Sequence, residues 1–237
     1  MLTHYTSKIS NVAKILKNGF AWIANRRNLM EILVPEHDFI NREPQQYGMV
    51  SFTDIPPGEA NSHSSSFGCF GIVVTDDWAK RSNAQKVIYI DDQGPITELL
   101  RAIFMFGYED CKANIQFHDD AGWNMAFENA ACAKALAGAN LWANLLHLYE
   151  YMESSMFSGE REWRITNPVP HYGLAGKRTD NLIENASPPL GWGKHLNVVK
   201  LLPSDVFAFA CPASKSESLI EALPDGYDGI KIIMTGG

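Results

Sequence analysis

One long helical stretch interrupts a chain otherwise written in short strands. Residues 97–155 are rich in Ala and Leu with few breakers. "ITELLRAIFMFGYE" reads as helix, and residues 121–155 as one long helix or two, with a kink at Gly138. Short β-branched and aromatic runs lie before and after this block. Before it come "LTHYT" (2–6), "MVSFTDI" (49–55), "CFGIVVT" (69–75) and "KVIYID" (86–91). After it come "EREWRIT" (160–166), "NVVKLLP" (197–203), "VFAFACP" (206–212) and "IKIIMT" (230–235). Strands, then helices, then strands is not the alternation of a parallel βαβ fold. The order predicts an α+β protein with the helices of about 97–155 inserted on, or layered against, the sheet. Nothing in the chain reads as a linker, so residues 1–237 are expected to form a single α+β domain.

The first strand runs into an amphipathic helix, "SKISNVAKILKNGF", with Ile9, Val12, Ile15, Leu16 and Phe20 at spacings of three and four. Ser7 or Ser10 can cap its start and Gly19 can end it. Pro35 and Pro44 break residues 25–48 into a loop with a short helix, and Pro56-Pro57-Gly58 stops the second strand. "DDWAKRSN" predicts a short helix capped by Asp76 or Asp77. "SKSESLIEALPDGYDG" predicts another, with a Ser cap and Gly closure. The Pro- and Gly-rich stretch 168–195 reads as a long surface loop of the kind that lines sites.

Composition narrows the function classes. A net charge of −7 argues against a phosphate-reading nucleic-acid patch, although a cleft for one nucleotide stays open. The four cysteines, Cys69, Cys111, Cys132 and Cys211, have no zinc spacing and read as reduced thiols. No apolar run approaches the roughly 18–20 residues that span a bilayer, and "MLTHYTSKIS" lacks a secretory h-region. The expected compartment is the cytoplasm.

Three groups carry candidate chemistry. On an extended strand, Glu160 and Glu162 point the same way, with Trp163 and Ile165 on the other side. The acids either form solvated ion pairs with Arg161, Arg164 or a neighbour, or they share work at a cleft. His4 is either a half-buried imidazole on a backbone carbonyl or a neutral hydrogen-bonding group for a ligand hydroxyl. Ser51 and Thr53 share one face of their strand, with Val50 and Phe52 on the other. His118, Asp119 and Asp120 read as a helix-start cap, with a metal-dependent hydrolase as the remote alternative. There is no phosphate loop and no nucleophile elbow.

"HYTS…ILKNGF", "VSFTDIP" and "EREWRI", in this order, resemble the AbiGi-type abortive-infection family of bacteria and its relatives. "FGCFGIVVTDDWAKRSNAQKVIYID" resembles the same family's strand–turn–strand pattern. The layout also resembles ADP-ribosyltransferase-like folds, in which a split β-sheet core holds NAD as substrate. That likeness implies a site in which His4 bonds the adenine-side ribose and the Tyr5 backbone holds the nicotinamide amide. Thr6, Ser51, Phe52 and Thr53 would complete the NAD pocket. Glu162 would stabilise the ribosyl cation that develops as the glycosidic bond breaks, and Glu160 would orient or deprotonate the acceptor. The implied function is ADP-ribosyl transfer or NAD hydrolysis in phage defence or a toxin–antitoxin system. The family resemblance equally implies a non-catalytic, antitoxin-type protein that binds the other member of a two-gene pair. His4 departs from the Arg of arginine-type enzymes, and Ser-Phe-Thr departs from their Ser-Thr-Ser.

Overall fold

The computed structural model describes residues 1–21, 23–24, 48–60, 66–114, 148–149, 151–166 and 198–235. The expected short helix in 25–48, the helices of 121–147, the His118–Asp120 group and the 168–195 loop lie outside the described residues.

The apolar runs become strands where breakers bound them. β1 is Leu2–Thr6. It leads into α1, Ile9–Asn18, whose Val12 and Leu16 are buried. No side chain caps α1 at its start, so neither serine plays that part. Its end is as expected: Gly19 takes a φ of 94° and donates its amide to Ile15 O. Two short strands follow, β2 (Phe20–Ala21) and β3 (Ile23–Ala24), and then β4, Gly48–Thr53. β5, Phe70–Val74, is buried at every residue, as a strand flanked on both sides and covered on both faces must be. α2, Asp76–Arg81, is capped by Thr75, whose hydroxyl accepts from the Trp78 amide; the aspartates occupy the first turn instead.

The expected strand 86–91 is two strands. β6 is Gln85–Lys86 and β7 is Ile88–Ile90, and they belong to different sheets. α3 runs from Pro95 to Asn114. The helical block does not extend to residue 155: β8, Met152–Ser154, is a fully buried strand paired in parallel with β7. Burial and a strand partner outweigh local helix preference there. A 3-10 turn, Ser155–Glu160, leads into β9, Glu162–Thr166. The remaining elements are β10 (Val198–Val199), β11 (Val206–Pro212), α4 (Ser216–Ala222) and β12 (Lys231–Thr235).

Among the described residues, the main sheet has the order β12-β11-β5-β1-β4-β9-β6, with β3 also on β4. β11 and β12 are parallel and the other neighbours antiparallel, so α and β elements combine around a mixed sheet. β10–β2 and β7–β8 form two smaller sheets. One face of the main sheet carries Leu2, Val50, Phe52, Phe70, Ile72, Val74, Ile165, Phe209 and Cys211. These close the core with Val12 and Leu16 of α1, Phe20, Trp78 and Leu219. The Trp78 indole donates to Lys200 O at 3.0 Å, and Tyr227 bridges Leu16 O and Leu201 O at 3.3 Å each. These bonds satisfy polar groups that burial would otherwise strand.

β1 and β4 meet at a single register pair, Thr3 with Thr53. Beyond it the ladder pairing of β1 with β4 stops, whereas β1 stays paired with β5 along its whole length. On β4, the segment that β1 leaves is taken up at Met49 and Gly48 by β3. The His4 imidazole links the two strands beyond that pair, its Nδ1 lying 2.9 Å from Ser51 O.

Candidate functional site

The acidic strand begins two residues later than its alternation suggests. Glu160 closes the 3-10 turn, and Arg161 adopts a left-handed φ of 48°. The chain turns there, so only Glu162 is on β9, and the two glutamates do not share a strand face. A left-handed conformation costs a non-glycine residue about 1–2 kcal/mol. Asp54, just beyond β4, holds it in place. Its carboxylate accepts from Arg161 Nε at 2.5 Å and from the Trp163 indole at 3.1 Å, and its amide donates to Arg161 O. Thr53 adds a hydroxyl donation to Glu160 O at 2.8 Å. The "FTD" and "EREW" segments are thus one interlocked structure.

Glu162 lies in a buried charge triad. Arg164 Nε meets one Glu162 oxygen at 3.0 Å, and Nη2 meets the other at 2.8 Å. The same Nη2 reaches Glu153 Oε2 on β8 at 2.6 Å. Exposure is 1% for Arg164, 1% for Glu153 and 7% for Glu162, so none of the three is a solvated surface group. Burial works against the charged guanidinium, but the two carboxylates outweigh it and hold Arg164 above its ordinary value. The Glu162 amide donates to the Tyr89 hydroxyl at 2.8 Å. Burial pushes the Tyr89 phenol up to about 12, partly offset by that bond. At the far end of β9, Thr166 donates to the Tyr151 hydroxyl at 2.7 Å.

The register sorts the other candidates. Thr3, Thr53 and Glu162 are consecutive partners across three strands, so they share a face. Tyr5, Ser51 and Arg164 stand two residues along and share it too. Tyr5 is opposite Gly71, where an added Cβ would meet Thr3 Cγ2 at 2.9 Å, Ala210 Cβ at 3.0 Å and Tyr5 Cε1 at 3.2 Å. Burial raises the Tyr5 phenol to about 12.

His4, Thr6 and Phe52 belong to the opposite, apolar face. His4 packs edge-on against Phe20 and Phe52, with centroids 5.0 and 5.7 Å away. Desolvation lowers its pKa, against the opposing pull of the Ser51 carbonyl, so the imidazole is neutral. Thr6 accepts from Asn11 Nδ2 at 2.9 Å. The structure therefore brings Tyr5, Ser51, Thr53 and Glu162 to one face, and places His4, Thr6 and Phe52 on the other. β4 lies between β1 and β9, so the first strand and the acidic strand are not direct neighbours.

Glu153, Tyr89 and Asp54 escape a reading of the sequence. Glu153 falls in what reads as helix, and only its pairing on β8 reveals it. Arg164 does carry a signal: it alternates in phase with Glu162, and an ion pair between them is one of the two readings of that strand.

Among the described residues, no three or more His, Cys, Asp or Glu side chains are grouped so as to hold a metal. No helix there is long and apolar enough to cross a membrane. None of the curated proteins and none of the solved structures compared matches the chain. A family model described as "Putative abortive phage resistance protein AbiGi, antitoxin" matches residues 28–183. That span exceeds half of the chain and holds both interlocked segments, "FTD" on and after β4 and "EREW" at β9. The chain belongs to the AbiGi family of abortive phage resistance proteins.

Proposed function

We propose that this chain is the antitoxin-type, binding member of an abortive-infection pair and restrains its partner by contact rather than by catalysis. The supporting observation is the state of Glu162. Both of its oxygens are engaged by Arg164 inside a triad that Glu153 completes. A carboxylate that is to steady a developing ribosyl cation must present an oxygen to the substrate, whereas this one is committed to the protein's own guanidinium. The family description, antitoxin, supports the same reading. The test is to express the product of the adjacent gene alone and together with this chain. The reading expects growth arrest in the first case, relief in the second, and a stoichiometric complex on purification. Arrest that persists with both proteins present and soluble overturns it.

A second reading, ADP-ribosyl transfer or hydrolysis of NAD, has its own support. β1 and β4 share a single ladder pair, as strands at a split in a sheet would, and His4 reaches from β1 to Ser51 O of β4 beyond it. Tyr5, Ser51, Thr53 and Glu162 share one face beside it. In this reading Glu162 leaves Arg164 to meet the ribose, and Glu160 serves the acceptor. Nicotinamide released from NAD by wild type, and lost in Glu162→Gln, would establish this reading and displace the first.

A further inference from the structure

Two thiols far apart in sequence meet at the end of one strand pair. Ala210 of β11 is opposite Gly71 of β5, in an antiparallel ladder. One further step of that ladder sets Cys211 beside Phe70, the residue after Cys69, so Cys69 and Cys211 are diagonal neighbours at its end. Diagonal positions of this kind fall within the roughly 4.4–6.8 Å Cα separation that a disulfide accepts. Strict alternation would turn the two side chains to opposite faces. Cys69 escapes it because it precedes β5 in a bend, directly after Gly68 at a φ of 107°. Both cysteines pack into the same apolar cluster: Cys211 is a buried member and Cys69 is half-buried against it. Both are free thiols in this structure.

We propose that Cys69 and Cys211 are a redox-sensitive pair that closes into a disulfide across β5 and β11. Cys69, half-buried, is the attacking group. Cys211 is buried, which together with the neighbouring Cys69 pushes its thiol up, so it is not the first to attack and takes the resolving part. With oxidised glutathione as oxidant, the Cys69 thiolate attacks one sulfur and expels one molecule of glutathione. Cys211, after losing its proton, then attacks Cys69 of the mixed disulfide and expels the second. Two protein thiols are oxidised and one small disulfide is reduced to two thiols. The bond would fix the bend at Gly68, whose backbone abuts the Thr6–Ser7 peptide at the junction of β1 and α1. Oxidation would therefore stiffen the sheet end that carries Tyr5 and His4.

The test uses the full-length protein in a glutathione redox buffer, followed by alkylation, intact mass and peptide mapping without reductant. The proposal expects a loss of two hydrogens, a single crosslinked peptide joining Cys69 to Cys211, and reversal by a dithiol reductant. Cys69→Ser should abolish the crosslink while the protein stays folded by circular dichroism. A stable glutathione adduct on Cys69 with Cys211 still free would overturn the proposal. A crosslink joining Cys111 to Cys132 in its place, or four free thiols after oxidation, would do the same. Mapping on wild type decides between these outcomes even if the variant fails to fold.

Discussion

Replacing Arg164 by methionine removes the cation that both Glu153 and Glu162 contact in the buried triad. Arg164 is 1% exposed, and its guanidinium meets the two carboxylates at 2.6 to 3.0 Å. Breaking a buried ion pair by removing one partner costs about 3–5 kcal/mol, because the orphaned charge stays desolvated. Here two carboxylates lose their guanidinium, so Arg164→Met should lie at the upper end of that range, a large share of the roughly 5–15 kcal/mol of a typical domain. A triple variant, Glu153→Gln, Glu162→Gln and Arg164→Met, removes all three charges together and should recover most of the loss. The assay is urea unfolding followed by tryptophan fluorescence, with stability extrapolated to water. An Arg164→Met loss below about 1 kcal/mol is the size of an exposed pair and would refute a desolvated triad.

Three further outcomes follow from the same structure. Gly68→Ala puts a Cβ 2.3 to 2.4 Å from the backbone of Thr6 and Ser7, at a φ of 107°, and should cost at least about 1–3 kcal/mol in the same unfolding assay. The folded His4 pKa lies below the unfolded value near 6.5, so its contribution is full above that pH. Stability should fall as pH drops through 6.5 towards the folded value, and His4→Phe should remove that part of the pH slope. The phenols of Tyr5, Tyr89 and Tyr149 are raised to about 12, so ultraviolet titration should show at least three tyrosines ionising well above 10, with stability declining as pH rises from 10 towards 12.

The fold is legible where local pattern and tertiary demand agree. β1, β5 and β11 fall where their β-branched and aromatic runs predict, and α1 ends at its glycine. It is illegible where pairing overrides local preference. Residues 152–154 read as the tail of a helix, yet they find a parallel partner in β7 and bury all three side chains. The site follows the same division. Strand alternation correctly puts Ser51 and Thr53 together, and Arg164 in phase with Glu162. It fails at Glu160 because a left-handed Arg161 interrupts the period, and no propensity marks arginine for that conformation. Asp54 holds it there from more than a hundred residues away, a contact that only the sheet order supplies. His4 and Glu162 both belong to the main sheet, but they stand on opposite faces, because His4 is one residue out of step with the Thr3–Thr53–Glu162 register.

Glu162 is either a committed structural anion or a carboxylate held ready for a sugar. The direct measurement is nicotinamide release from NAD by the purified chain, alone and in complex with the product of the adjacent gene. If Glu162 serves the Arg164 triad, neither sample releases nicotinamide above buffer, and the complex forms all the same. Release by wild type that Glu162→Gln abolishes, with the variant still folded, would contradict that assignment.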